Sequence, residues 1–261
     1  MNLLNIQKLL NKLAILNEAR KTFRNWYLFP LVYFKIIKKQ YVFLETRNGI
    51  IIKIRTNSTD LMTLTNVWLI KEYFQHGLKI NNEDIIIDIG AHIGLFSLYV
   101  SQYCKKGKIF CFEPIKNNFE LLEENIMLNK IKNVFPYNVA VSSSTSTATI
   151  FLSRDEAAHS MYLKNSNPVV VKSTSLEKIF YDNKIEKCDL LKLDCEGAEY
   201  DILEILSENL FHKINKIILE YHFADSKNNL ISNLIKKLEK LSFNISIFQN
   251  VPSMGIIYAT K

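Results

Sequence analysis

Short apolar strands alternate with amphipathic helices from residue 84 onward, and this alternation constrains the fold more than any other feature of the chain. The spacing of apolar residues predicts strands over 85–89, 108–112, 134–141, 147–152, 169–172, 189–194, 216–221, 243–248 and 254–259. It predicts helices over 95–104, 116–129, 176–183, 198–209 and 228–241. Such alternation favours an α/β fold with a doubly wound, mostly parallel sheet, in which ligands bind beyond the carboxyl ends of the strands.

A helical and hairpin extension precedes this body. Apolar residues at spacings of three and four over 3–23 predict an amphipathic helix. Asn48-Gly49 between two strand-like runs predicts a hairpin, and 61–76 has helical spacing. These patterns divide the chain into a basic helical arm (1–40), a hairpin and helix leading into the body (41–80), and the α/β domain (81–261).

The net charge of +7 belongs to the N-terminal region. Residues 1–44 hold eight Lys/Arg and one acid, whereas residues 45–261 hold 25 basic and 25 acidic residues. The neutral body disfavours a nucleic-acid enzyme, which usually carries its basic surface on the folded domain, although basic arms also bind RNA. Two alternatives stay open for the arm: it lies on an anionic membrane surface, or it packs on its own domain or a partner.

The chain shows no signal of export or of a transmembrane anchor near its start. The apolar segment 26–34 is only nine residues long and is broken by Pro30, whereas a spanning helix needs about 20. Four cysteines form no Cys-x-x-Cys pair, so a zinc site or a disulfide framework is disfavoured. We expect a cytoplasmic protein, with peripheral contact at the inner face of the membrane as an alternative.

The first chemical motif is Asp88-Ile-Gly-Ala-His-Ile-Gly94, between the first strand of the body and its helix. Gly90 permits a tight turn and lets a ligand approach the backbone, and Gly94 opens the helix. A dinucleotide site needs a further glycine for the pyrophosphate, whereas here an acid is expected in the mouth of the site. The charge favours a sulfonium ligand, S-adenosylmethionine, over NAD.

The second motif is Glu113, which ends the next strand 25 positions after Asp88. A carboxylate at this place can accept both hydroxyls of a ribose.

The third and fourth motifs bring acid and base groups to the ends of two later strands. Lys192 and Asp194 share one face of a strand because side chains alternate with a period of two, and Glu220 and His222 do the same on the next strand. Such clusters suit proton transfer, and the alternative is a buried ion-pair network. A divalent ion bridging Asp194, Glu220 and His222 is a minor alternative, and we assign no metal site.

Taken in order, these motifs resemble the FkbM-type S-adenosylmethionine-dependent methyltransferases over about residues 60–224. The matching pieces are 88–94, Phe-Glu-Pro (112–114), Asn-Val-Ala-Val-Ser (138–142), Val-Lys-Ser-Thr-Ser-Leu (171–176), 192–199 and Leu-Glu-Tyr-His (219–222). The resemblance implies a Rossmann-like class I methyltransferase. It implies that the cofactor is held by Asp88, Gly90, Ala91, His92, Gly94, Glu113, Pro114, Asn138, Val139, Ala140 and Asp194. His92 stands where the family more often has Asn, and 138–140 are expected near the adenine.

The resemblance also implies methylation of a hydroxyl on a sugar, a glycan or glycolipid, or a secondary metabolite. We expect His222 to act as the base, with Asp194 and Glu220 orienting it or acting directly and Lys192 as their partner. Glu196, together with His159 and Ser160 of the loop 153–168, is expected to contact the acceptor. The alternatives are an RNA methyltransferase and a non-catalytic S-adenosylmethionine-binding protein that the arm anchors to a membrane or partner.

Overall fold

The computed structural model describes residues 3–75, 77–152, 167–222, 224–251 and 254–261. The strands are β1 (Tyr41–Glu45), β2 (Ile51–Arg55), β3 (Ile85–Ile89), β4 (Lys108–Phe112), β5 (Val134–Tyr137), β6 (Ala140–Val141), β7 (Thr147–Leu152), β8 (Asn167–Thr174), β9 (Leu190–Leu193), β10 (Lys216–Tyr221), β11 (Asn244–Val251) and β12 (Met254–Thr260). The α-helices are α1 (Leu3–Thr22), α2 (Leu28–Tyr33), α3 (Asp60–Leu64), α4 (Leu95–Ser101), α5 (Lys116–Leu128), α6 (Leu176–Asp182), α7 (Glu199–Ile205), α8 (Glu208–His212) and α9 (Ala224–Lys240). A π-helix (Thr65–Ile70) and a 3₁₀ turn (Glu72–Phe74) follow α3.

A seven-stranded sheet in the order β11-β12-β10-β9-β3-β4-β5 organises the body. Strands β10, β9, β3, β4 and β5 run parallel, and the β11–β12 hairpin adds antiparallel strands at one edge. The chain order reverses between β3 and β9, so the carboxyl ends of these two strands border the crevice where such sheets bind ligands. The mixed α/β fold with a mostly parallel sheet is therefore confirmed.

Helices cover both faces of this sheet, which makes it doubly wound. Neighbouring residues of β3 enter opposite layers: Ile86 packs in one hydrophobic core and Ile87 in the other. The first core includes apolar residues of α4 and α5, and the second includes those of α6, α7 and α9. Burial on both faces explains why the strands of the body read as continuous apolar runs.

Three predicted elements are divided in the structure, and several others differ from the prediction in their bounds. The strand predicted over 134–141 is divided between β5 and β6, which belong to different sheets. The helix predicted over 198–209 is broken at Leu206, whose extended backbone separates α7 from α8. The helix predicted over 61–76 is three short helical pieces, and Lys71 lies between the last two with a φ of +57°. Across Leu206 the buried residues Leu203, Leu206 and Leu210 keep a helical spacing, so the pattern could not reveal that break.

The arm is joined to the body through its second half. Ala19 and Phe23 are fully buried in the same core as α4 and α5. Phe23 also pairs with Thr46 of the hairpin as an isolated β-bridge, and the Arg47 guanidinium donates to the Arg20 carbonyl oxygen at 2.8 Å. Within the described residues, no helix combines the length and apolarity needed to span a bilayer. The domain boundaries at 40 and 80 stay predictions.

Candidate active site

A cavity of about 260 Å³ opens beyond the carboxyl ends of β3, β4, β9 and β10. Of the residues predicted for the site, those that line it are Gly90, His92, Glu113, Pro114, Ala140, Asp194, Glu196, Glu220 and His222. Parallel strands end at one edge of the sheet, and this explains why residues far apart in the chain meet here.

Gly90 lies where two strand ends come closest. Its φ is +76°, and a Cβ at this position would lie 1.8 Å from the Asp194 carbonyl oxygen. Only glycine combines that conformation with that approach. The glycine thus brings the loop after β3 against the loop after β9 and shapes the floor of the cavity.

Gly90→Ala is expected to lower the free energy of unfolding by about 2–5 kcal/mol, because it adds a backbone clash to the strain of a positive φ. Urea denaturation of the unliganded protein measures this loss. Gly77→Ala is the matched control, since Gly77 has a φ of +79° and open space around its missing Cβ. Equal losses in the two variants would contradict the close approach.

Glu113 is buried at the end of β4, and its two oxygens are held by backbone amides. Oε2 accepts from the His92 N–H and Oε1 from the Ile115 N–H, each at 2.9 Å. Burial raises the pKa of Glu113 to about 7, although these amides and the Asn118 side chain lower it in part. The carboxylate is thus fixed in one orientation at the cavity wall, where it can accept from ribose hydroxyls.

If Glu113 binds the ribose of S-adenosylmethionine, as the sequence predicts, cofactor affinity should depend on pH, because the ionised carboxylate is the better acceptor of the ribose hydroxyls. With the pKa near 7, the association constant should fall about tenfold per pH unit below pH 7 and level off above it. Isothermal titration of S-adenosylmethionine from pH 5.5 to 8.5 checks this. A wild-type profile that stays flat, or a sloping one in Glu113→Gln, would assign the dependence elsewhere.

The N-terminal hairpin also supports this wall. The Arg55 guanidinium of β2 forms a two-point ion pair with the buried carboxylate of Asp60, at 2.7 and 2.9 Å. It also lies 3.3 Å from the His92 ring and donates to the Asn118 side chain at 2.9 Å. Residues 41–80 are therefore in direct contact with the loop after β3, whose His92 has a φ of +52°.

Asp88 lies beneath the cavity and not in its mouth as the sequence suggested. Its side chain is fully buried, accepts from Ser97 at 2.7 Å and pairs with the Lys192 ammonium at 3.1 Å. Neither Asp88 nor Lys192 is among the lining residues. The motif thus supplies a buried ion pair that anchors β3 to β9, and a role of Asp88 in cofactor binding stays a prediction.

Tyr73 links two carboxylates of the cavity. Its hydroxyl lies 3.0 Å from Asp194 Oδ2 and 2.9 Å from Glu220 Oε2. A phenol donates only one proton, so the second contact is best satisfied when Glu220 is protonated. Burial and the nearby Asp194 charge agree with this, because they raise the pKa of Glu220 to about 8.

His222 is paired with Glu199, a fully buried residue in the first turn of α7. The ring nitrogen Nδ1 is 2.9 Å from Glu199 Oε1, whereas Nε2 lies 3.8 Å from Glu196 and 3.9 Å from Glu220. Burial lowers the pKa of His222, but the hydrogen bond and charge of Glu199 outweigh it and raise the pKa to about 10. We expected Asp194 and Glu220 to orient this histidine, and the structure gives that position to Glu199.

The other predicted residues lie outside the cavity wall. Gly94 has a φ of +85° and packs against Leu122, and the Asn138 amide donates to the carbonyl oxygens of Glu113 and Pro114 at 2.9 and 3.1 Å. Ala91 and Val139 are not among the lining residues. His159 and Ser160 fall outside the residues that the structure describes. Tyr73 and Glu199 were missed as functional residues.

Asp194, Glu220 and His222 could also hold a divalent cation. Each offers one ligand atom, and the three atoms lie within 4.8 Å of one another. Tyr73 already contacts one oxygen of each carboxylate, and Glu199 holds the other side of the imidazole. The same groups therefore suit either a proton-transfer cluster or a cation site.

Comparison with known families decides the identity. Residues 88–245, more than half of the chain, match the family model of the methyltransferase FkbM domain. The chain belongs to the FkbM methyltransferase family. The chain therefore carries a methyltransferase FkbM domain, whose fold is that of the class I methyltransferases that use S-adenosylmethionine.

The relatives are distant and differ in length. The enzyme is 24% identical to the AMB antimetabolite synthetase AmbE of Pseudomonas aeruginosa over 220 residues, which cover 68% of this chain and 10% of that protein. It is 26% identical to the hexuronic acid methyltransferase AglP of Haloferax volcanii, over 54% of this chain and 56% of the relative. The crystal structure of methyltransferase FkbM from Methylobacillus flagellatus matches with a TM-score of 0.51 and 16% identity, covering 76% of this chain and 53% of that one. The last comparison shows the fold alone.

The chemistry of the cavity fits the donor. One wall offers the oriented Glu113 carboxylate next to apolar side chains, among them Ile115, Val141 and Ile150. At the opposite end, carboxylates outnumber basic groups even when Glu220 is protonated. Asp194, Glu196 and Glu199 lie close to His222, and Lys192 is paired with Asp88. Such an excess of negative charge suits a cationic ligand with a ribose and an apolar base.

Proposed function

We propose that the enzyme methylates a hydroxyl oxygen of a sugar, a glycan or glycolipid, or a hydroxylated secondary metabolite. The observation that supports this is the His222–Glu199 pair at the cavity wall, with Nδ1 held at 2.9 Å and the Nε2 side turned toward the other lining carboxylates. A hydroxyl is a weak nucleophile until its proton leaves, so it needs a positioned base of this kind.

S-adenosylmethionine, when bound, supplies the methyl group as a cationic sulfonium. We infer that Glu113 holds the ribose and that Gly90 lets the cofactor approach the backbone. His222 takes the proton of the acceptor hydroxyl at Nε2, and Glu199 stabilises the resulting imidazolium through Nδ1. Tyr73 keeps Asp194 and Glu220 in place beside the acceptor. These side chains are buried, so water is excluded and the electrostatic interactions between them are stronger than in water.

The acceptor class can be tested with donor labelled in its methyl group. We expect label in O-methyl groups of a panel that begins with hexuronic acids, given the name of the Haloferax relative, and continues through hexoses, glycolipids and hydroxylated metabolites. Nuclear magnetic resonance of the product identifies the methylated atom. Label that enters only nitrogen, or only added tRNA, would refute the proposal.

An experiment with a chelator distinguishes a general base from a cation site. If Asp194, Glu220 and His222 act without a metal, excess EDTA should leave the rate of methyl transfer unchanged. Loss of activity that Mg²⁺ or Mn²⁺ restores would assign these residues as ligands and remove His222 as the base.

A further inference from the structure

Several apolar side chains of the arm are exposed to solvent. We define the arm face as Tyr33, Phe34 and Ile36 at the end of α2, of which Phe34 is 68% and Ile36 58% exposed. Leu10 and Leu13 of α1 are exposed as well, but Leu10 precedes the buried Ala19 by two and a half helical turns and so lies on the opposite side of α1, outside the arm face. Exposed apolar residues grouped in one segment indicate an interaction site more than scattered ones do.

Basic side chains border the arm face. Lys35, Lys38 and Lys39 are all exposed, and no ion pair of the described residues includes any of them. The Lys12 ammonium lies over the Tyr33 ring at 5.4 Å, and this contact joins α1 to the end of α2. Since the rest of the chain is neutral, the positive field of the molecule comes from this region.

The arm face also lies close to the cavity. Phe29 and Val32 of α2 pack in the same core as Leu61 and Leu64 of α3, and α2 contacts α3 directly. On its other side α3 exposes Met62, which is 54% accessible and lines the cavity. One short helix therefore separates the arm face from the mouth of the active site.

We propose that the arm face lies on an anionic lipid surface and that the acceptor hydroxyl is carried on a lipid in that surface. The second half rests on the proposed O-methyl transfer; the first half does not. Apolar side chains beside a cluster of lysines are the combination that binds peripheral proteins to anionic bilayers. Docking through the arm face brings the cavity mouth to the surface where a lipid-linked acceptor is held.

Lipid explains this composition better than RNA does. Phosphate contacts would account for the lysines alone, and base stacking would account for Tyr33 and Phe34. An exposed aliphatic side chain gains little from either, whereas Ile36 would leave water on entering a membrane interface.

Vesicle sedimentation of the full chain tests the first half. Wild type should sediment with vesicles of phosphatidylcholine and phosphatidylglycerol (7:3) and not with phosphatidylcholine alone, and added salt should weaken its binding. The variant Lys35→Glu/Lys38→Glu/Lys39→Glu, which we call the arm triple, should bind these vesicles at least about 100-fold more weakly. Phe34→Ala/Ile36→Ala should bind them at least about 10-fold more weakly. The control triple Lys105→Glu/Lys236→Glu/Lys240→Glu makes the same charge change at exposed lysines outside the arm. It should lose much less affinity than the arm triple, because it changes the net charge but not the arm face.

Wild type that stays in the supernatant with anionic vesicles would overturn the proposal, as would equal losses in the arm and control triples. Tighter binding of wild type to tRNA than to these vesicles, with the difference removed by the arm triple, would assign the arm face to RNA and also overturn it. Thermal unfolding of each variant identifies any that has lost its fold.

Activity assays test the second half and separate the two proposals. With one sugar offered both free and on a lipid in anionic vesicles, the arm triple should methylate the free sugar at the wild-type rate and the lipid-linked sugar at least about 10-fold more slowly. Equal rates on the two forms would refute the lipid-borne acceptor while leaving O-methyl transfer intact. No transfer to either form, by wild type that binds vesicles, would refute the proposed function and not the membrane contact.

Discussion

Glu113→Gln is expected to weaken S-adenosylmethionine binding at least about 100-fold. The carboxylate is the oriented polar group at the wall where we propose that the ribose binds, and its two oxygens each already accept a backbone N–H. A charge-assisted hydrogen bond is worth about 1.5–3 kcal/mol, so weakening two ribose contacts accounts for this factor. Glutamine also turns an NH₂ group toward one of these backbone donors, which would disturb the loops after β3 and β4.

Isothermal titration measures the affinity, and denaturation of the unliganded protein reports on the fold. Glu123→Gln on the exposed side of α5 is the matched control and should bind the cofactor as wild type does. A loss of about 1–3 kcal/mol is expected in the free energy of unfolding of the unliganded protein, because the glutamine NH₂ leaves one backbone N–H without its acceptor. Glu113→Gln with wild-type affinity and an unchanged fold would place the ribose elsewhere.

The sequence predicted the fold because strand–helix alternation determines the topology of such sheets. The strands predicted over 85–89, 108–112 and 216–221 have the predicted bounds in the structure. Because parallel strands end at one edge, Glu113, Asp194 and His222 could be placed together without any knowledge of loops. Breaks within a segment were beyond this reasoning, since the backbone turn at Leu206 leaves the spacing of apolar residues unchanged.

The site could be predicted only where a strand end determined it. Asp88 was expected to face a ligand because of its charge, but the structure satisfies that charge internally with Lys192 and Ser97. Alternation along a strand shows which face a residue occupies and not which partner it finds across the sheet. The sequence contains no signal for Tyr73, because its contacts span 121 and 147 positions. Glu199 stood within a recognised motif, and an acid there could have been considered as the partner of His222.

His222→Asn is expected to lower kcat by about 10²–10⁴-fold while cofactor affinity stays within a few-fold of wild type. The factor is that of a positioned general base, and the ribose end of the cavity is not altered. Single-turnover methyl transfer and isothermal titration measure the two quantities. His212→Asn, at an exposed histidine of α8, is the matched control. Full turnover in His222→Asn would remove the imidazole as the base.

The pH profile distinguishes a base from a residue that only supports the fold. His222 must lose its proton before it can accept another, and its pKa in the unliganded protein is raised to about 10. At saturating cofactor, kcat/KM for the acceptor should therefore rise with pH above neutrality, with an apparent pKa at or below about 10 because a bound cation favours the neutral ring. Glu199→Gln removes the charge that raises this pKa, so its profile should shift to lower pH by at least about one unit, while a structural defect would lower the rate equally at every pH. A profile that keeps its position in Glu199→Gln would show that the titrating group is not His222.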